Sequence, residues 1–272
     1  MSELSRAFPV GAPTPPAPLP QIIRTVEAWR QLRSTYRAAG QSVGFVPTMG
    51  ALHNGHLSLC RRARRDHGIV MVSIFVNPTQ FDEAHDFEKY PRALDQDLAA
   101  LAGAGVDVVF APSVAEMYPN GTTYAVVENQ LSQDLCGLHR PGHFSGMLTV
   151  VLKLLQIAEA DGAYFGEKDY QQLMLVRGLC EAFFLRTAII GCSTVREPDG
   201  LAMSSRNARL SPAERALAPR FHLALSTAAT AEEARTQLTA AGFSVDYIEE
   251  RNGRRFGAVR LGPTRLIDNV AR

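Results

Sequence analysis

Two histidines three residues apart, His53 and His56, stand in the run Pro47-Thr48-Met49-Gly50-Ala51-Leu52-His53-Asn54-Gly55-His56. At a helix N-terminus both imidazoles can face one pocket, and the unpaired backbone N–H groups there favour a phosphate. Gly55 lets the backbone approach a ligand closely. The run also fits an ordinary turn with two solvent-facing rings, because so short a pattern arises by accident. Zinc fits less well, since no third and fourth ligand stand at suitable spacing. A second run, Gly166-Glu167-Lys168-Asp169, puts a lysine where it can meet phosphate oxygens as a point charge. Asp169 there can hold a ribose hydroxyl or simply cap the next helix. A third, Met203-Ser204-Ser205-Arg206-Asn207, offers two hydroxyls, backbone donors and a guanidinium. That is the composition of a triphosphate clamp and equally of many loops. Gln80, in Asn77-Pro78-Thr79-Gln80, and the pair Gln171-Gln172 can bond a carboxylate or hydroxyl of a small substrate, or face water. No GxxxxGK[ST], GxGxxG or GxSxG run is present, so a P-loop, a dinucleotide fingerprint and a hydrolase elbow have no support.

Such groups must be presented by strand ends. The apolar run 43–47 reads as a buried strand, followed by a turn at 48–50 and a helix carrying His56. Residues 69–76 have the continuous apolar pattern of a strand covered on both faces. Further strands are expected at 106–110, 163–165 and 187–191. Helices are expected over 22–38, 94–103, 144–158 and 170–184, with a loop over 77–91. Strands alternating with helices predict an α/β fold, a Rossmann-like doubly wound parallel sheet over 21–192 with helices on both faces. The crevice at the carboxyl ends of such strands is where ligands bind. Composition shifts after Asn207. Ser211-Pro212-Ala213-Glu214 fits a capping box opening an Ala-rich helix. Short strands at 245–249 and 258–260 complete a smaller α+β unit over 193–272. Six of the 16 prolines fall within residues 1–20, which predicts an extended, mobile tail.

The 272 residues suffice for one or two domains with a sizeable core. With 46% hydrophobic and 20% charged residues the composition is that of a globular chain. The net charge of +1 argues against coating nucleic acid or an anionic membrane. No apolar run reaches the roughly 20 residues of a membrane span. The four cysteines show no CxxC pairing, and no secretory signal is evident, so a reduced, cytoplasmic protein is expected.

The order of these segments resembles the pantothenate synthetase (pantoate–β-alanine ligase) family of the HxGH nucleotidyltransferase superfamily. The matching stretches are PTMGALHNGHLSL, SIFVNPTQF, DFEKYPR, EMYP, RPGHFSG, FGEKDYQQL and VREPDGLAMSSRN, with RLIDN near the end. The resemblance spans residues 21–272. It implies that ATP adenylates the carboxylate of pantoate, releasing pyrophosphate, and that the amine of β-alanine then displaces AMP. By motif, Met49, Gly50, Ala51, Leu52, His53, Asn54, Gly55 and His56 would hold ATP, with His56 matching the family's proposed proton donor. Gly166, Glu167, Lys168 and Asp169 would bind the nucleotide, Lys168 at phosphate and Asp169 at ribose. Val195 would meet adenine, and Met203, Ser204, Ser205 and Arg206 would close over the phosphates. Gln80 and Gln172 would bind pantoate, with Gln80 also near β-alanine. Magnesium would balance the triphosphate, with Asp97 as an outer ligand, and the chain would form a homodimer.

The chain departs from the family in three places. Cys192-Ser193 stands where Val-Pro is frequent, the proline-rich tail is long, and Asn252-Gly253 replaces a longer excursion. The third departure predicts a small lid that leaks the acyl adenylate to water. Two other readings compete. One is another HxGH enzyme acting with CTP or tRNA. The other is a nucleotide-binding paralogue acting through assembly, which would not need His56, Lys168 and both glutamines.

Overall fold

The computed structural model describes residues 18–81, 87–88 and 90–272. The expected tail at 1–20 falls mostly outside these described residues. Six strands form one parallel sheet: β1 (Gln21–Ile23), β2 (Val43–Thr48), β3 (Ile69–Ile74), β4 (Val108–Phe110), β5 (Gly162–Gly166) and β6 (Ala188–Cys192). Their order is β1-β4-β3-β2-β5-β6. Alternate residues of each central strand enter opposite cores, as period-two geometry requires. Phe45, Met71 and Phe110 join one cluster, and Val46, Val72 and Val109 the other. Helices α1 (Val26–Ala38), α4 (His143–Ala158) and α5 (Tyr170–Ala182) cover the first face; α2 (Asn54–Asp66) and α3 (Leu94–Gly103) cover the second. This double cover explains why β3 reads as an unbroken apolar run.

The order reverses between β2 and β5. Their pairing covers just Gly44–Gly162 and Phe45–Ala163, after which the two strands part. The carboxyl halves of both therefore border an open crevice, the switch point of a doubly wound sheet.

Two expectations need correction. Residues 21–23 form edge strand β1 beside β4, and the helix starts at Val26, where the Thr25 hydroxyl accepts from Ala28 N at 3.3 Å. Three strand residues are too few to display an alternation. The second concerns the C-terminal unit. After α6 (Pro212–Leu217), α7 (Pro219–Thr227) and α8 (Ala231–Ala240), it has three eight-residue antiparallel strands in place of two short ones. These are β7 (Ser244–Arg251), β8 (Arg254–Leu261) and β9 (Thr264–Ala271). Arg255 disguises β8: its guanidinium is buried, donating to the carbonyls of Leu225, Ala228 and Ala229 and to Glu250. Asn252 and Gly253, with φ of 49° and 70°, make the tight hairpin turn that this pair favours. At Ser211 the expected capping box is present, with Ser211 Oγ accepting from Glu214 N at 3.3 Å and Glu214 accepting from Ser211 N at 2.8 Å.

The small sheet packs on the large unit. Tyr247 and Ala258 belong to the same apolar cluster as β2 and α4. The Arg254 guanidinium lies 4.0 Å over the Tyr170 ring, and Arg251 pairs with Asp134. Among the described residues no helix is long and apolar enough to cross a membrane.

Candidate active site

A cavity of about 300 Å³ opens between the parted ends of β2 and β5 and the C-terminal sheet. It gathers the sequence-predicted residues Met49, His53, Gly55, His56, Gln80, Gly166, Lys168, Asp169, Gln172, Val195, Met203, Ser204, Ser205 and Arg206. Gly50, Ala51, Leu52, Asn54 and Glu167 do not line it; most of these shape the turns that do.

The turn after β2 is built on left-handed backbone. Gly50 and Ala51 have φ of 83° and 51°. The first suits glycine; the second is strained for alanine and needs outside support. Asp97 of α3 supplies it. This buried carboxylate accepts from Ala51 N at 3.0 Å and from Leu52 N at 2.8 Å. Asp97 is thus a brace for the histidine loop, with both carboxylate oxygens bonded to its backbone. Among the described residues no group of three or more His, Cys, Asp or Glu is placed to hold a metal ion.

His53 and His56 form a reciprocal cap on α2. His53 Nδ1 accepts from Gly55 N at 3.1 Å, and His56 Nδ1 accepts from His53 N at 3.4 Å. Accepting at Nδ1 leaves the ring proton of a neutral imidazole on Nε2. Burial, with the neighbouring His53 ring adding to it, pushes the His56 pKa down to about 3. The His53 pKa is lowered too, by burial and then by Lys168. At neutral pH His56 is a neutral hydrogen-bond donor, not an imidazolium.

Opposite them, Lys168 and Asp169 sit in a 3-10 turn that ends β5, with Nζ 3.8 Å from the Asp169 carboxylate. The turn is held from β9: Asn269 Nδ2 donates to the carbonyls of Glu167 at 2.8 Å and Lys168 at 2.9 Å. Met203 N donates to Val195 O at 3.0 Å, which fixes the serine–arginine loop against the strand exit. Ser204 Oγ caps the loop by accepting from Arg206 N at 3.2 Å. Burial, then the nearby Arg140, lowers the Arg206 pKa from the usual arginine value.

Gln80 follows β3 in a tight turn. Asn77, buried, donates to Gln80 Oε1 at 3.1 Å and to Gly146 O at 3.2 Å, and accepts from the Tyr118 hydroxyl at 2.7 Å. His143 Nδ1 lies 2.9 Å from Gln80 O, and Arg140 donates to the same oxygen at 3.3 Å. A Cβ on Gly146 would lie 2.0 Å from Thr79 O, so only glycine lets α4 approach this turn. Both glutamines of α5 line the cavity, but the amide of buried Gln171 is already used, accepting from Cys136 N and donating to Leu131 O and Asp134 O. Asn77, Tyr118, Gly146 and Asn269 escaped the residue-by-residue reading. Their signal was indirect, since they lie in or beside the NPTQ, EMYP, RPGHFSG and RLIDN stretches.

The groups in this cavity can donate hydrogen bonds and positive charge to a polyphosphate on one side and bind a polar acid on the other. Residues 21–271 match the sequence profile described as pantoate-beta-alanine ligase. A pantothenate synthetase of Bdellovibrio bacteriovorus is 50% identical over 253 residues, covering 92% of this chain and 98% of the relative. One from Alcanivorax borkumensis is 49% identical over 278 residues, covering 92% and 98%. The crystal structure of the Francisella tularensis pantoate-beta-alanine ligase, complexed with beta-gamma ATP and beta-alanine, superposes with a TM-score of 0.87 at 44% identity, covering 93% of this chain and 97% of that one. The Thermus thermophilus pantothenate synthetase gives 0.83 at 42% identity, covering 92% and 99%. A parallel six-stranded sheet with a separate small antiparallel sheet is their shared architecture, and this chain belongs to the pantoate–β-alanine ligase family.

Proposed function

We propose that this chain joins pantoate to β-alanine through a pantoyl adenylate, releasing pyrophosphate and then AMP. One observation carries the reading: phosphate donors (His56, Lys168, Arg206) and acid-binding amides (Gln80, Gln172) share a single cavity at the switch crevice. Adenylation brings an anionic carboxylate to an anionic α-phosphate, so donors preset around both lower the barrier. A carboxylate oxygen of pantoate attacks the α-phosphorus, and the bond to pyrophosphate breaks. Lys168 and Arg206 balance the charge that builds on the phosphate oxygens, while neutral His56 donates from Nε2. The amine nitrogen of β-alanine then attacks the acyl carbon, its proton leaves, and the bond to AMP breaks.

Magnesium fits as a companion of the triphosphate. It keeps several waters and binds substrate phosphates, so it needs no protein cage. Residues 193–272 act as the lid, hinged after β6, and shut water out while the adenylate waits. The chain works in the cytoplasm, consistent with four free thiols, and as a homodimer. Exposed Tyr124 (80%) and Val127 (64%) are apolar surface a second copy can cover.

Pantoate labelled with ¹⁸O in its carboxylate tests the adenylate. Label arriving in AMP is the expected outcome. Label in inorganic phosphate, with ADP as the nucleotide product, would mean an acyl phosphate and overturn the reading.

A further inference from the structure

Among the described residues, one fully buried cationic nitrogen beside the cavity has no hydrogen-bond partner. Arg265, at the start of β9, lines both the main cavity and a small recess of about 10 Å³ shared with Lys168, Ser204 and Arg206. Its Nε donates to Asp246 at 2.7 Å, and Nη1 lies 3.6 Å from Cys136 Sγ, a weak acceptor. The Tyr247 hydroxyl sits 3.1 Å from the same sulfur. Nη2 is buried and has no hydrogen-bond partner among the described residues. Nor does Asp246 belong to Arg265 alone, because Arg260 lies 3.4 Å from its other oxygen. The guanidinium is permanently charged, and a buried donor left unmade is costly unless a ligand completes it. Arg140, another arginine of the cavity, has both terminal nitrogens occupied, by His143 Nε2 at 3.0 Å and Gln80 O at 3.3 Å.

β-Alanine brings an anion that the joining step does not consume. Its amine reacts, while its carboxylate enters the cavity still charged and needs a counter-charge there. Carboxylates pair well with a guanidinium edge. We propose that Arg265 Nη2 binds this carboxylate and so selects the acyl acceptor. The inference rests on the reading above, that an acyl adenylate forms in this cavity. It places the selectivity of the second step on β9 of the lid, in a recess shared with Lys168 and Arg206.

The test is a competition. Enzyme, ATP and pantoate are given β-alanine and hydroxylamine together. Hydroxylamine attacks the same acyl carbon through nitrogen, loses a proton and displaces AMP to give a hydroxamate, but it has no carboxylate to be recognised. The ratio of pantothenate to hydroxamate is internal, so it does not depend on how much enzyme is folded. Arg265→Gln is expected to lower that ratio by about tenfold to a hundredfold, the loss of one hydrogen bond to a charged group. Arg265→Lys should fall between. A merely structural Arg265 would slow both products equally, and an unchanged ratio overturns the proposal. A wild-type arm needs no variant: β-alanine should be preferred at least about tenfold over its amide, 3-aminopropanamide. Equal use of the two overturns the proposal as well. If wild-type enzyme releases no pyrophosphate with ATP and pantoate, it is the parent reading that fails.

Discussion

His56 is held by its own helix cap, so its protonation state is a product of local structure as much as of chemistry. Replacing it with alanine removes one preset donor. Pyrophosphate release should fall about a hundredfold or more with the fold retained, and near-wild-type release would take His56 out of the mechanism. The same residue makes an acid-stability prediction. Its pKa is near 6.5 in the unfolded chain and about 3 when folded. Between those values the unfolded state binds more protons, so stability rises with pH and is lost as pH falls from about 6.5 toward 3. The slope from this group alone reaches about 1.4 kcal/mol per pH unit. Denaturant melts across that window should be flatter for His56→Gln than for wild type. Asp97 is predicted to act through backbone alone. Asp97→Ala should cost about 1–3 kcal/mol of stability by orphaning two amides and should slow adenylation. Asp97→Asn, which keeps one acceptor, should cost less. Equal losses in the two variants, or a loss in Asp97→Ala that excess magnesium restores, would contradict the brace. Side chains that line the cavity were legible because their chemistry is written in residue type and motif. Asp97 and Asn269 were not, because their partners are main-chain groups 46 and 102 positions away.

Elements were legible where burial is one- or two-sided and long enough to leave a period. β2, β3 and α3 stand where their patterns put them. β1 is too short, and β8 hides a buried arginine whose partners are helix-end carbonyls. The contact between α4 and the turn after β3 was invisible for a similar reason, since it depends on a side chain that is absent. Gly146→Ala must push Thr79 and Gln80 away from the helix. Loss of the Gln80 contact to a charged acid is worth about 1.5–3 kcal/mol, so the KM for pantoate should rise about tenfold or more. The KM for ATP should hardly move. Equal rises for both substrates would show general disorder rather than a displaced glutamine.

At the scale of the molecule, the brief hairpin that predicted a leaky lid belongs to a three-stranded sheet already seated on the large unit. Tyr247 enters the main core, Arg254 stacks on Tyr170, and Arg196 bonds Asp268 at 2.7 Å. With this cover, AMP formation from ATP and pantoate alone is expected to stop at about one equivalent per site. Arg254→Ala, which frees β8 from Tyr170, should turn over repeatedly without an acceptor. Sustained AMP release by the wild type would restore the leaky lid. The bonds from Asn269 to the turn of Lys168 carry a temporal consequence. A chain made on the ribosome completes that turn early, yet the strand that anchors it lies 102 residues downstream. At about 5–20 residues per second, the nascent sheet waits on the order of 5–20 s with its lysine turn unanchored. For that interval the growing chain has the β2–β5 crevice without the C-terminal sheet that closes the cavity, and the complete cavity is acquired only late in synthesis.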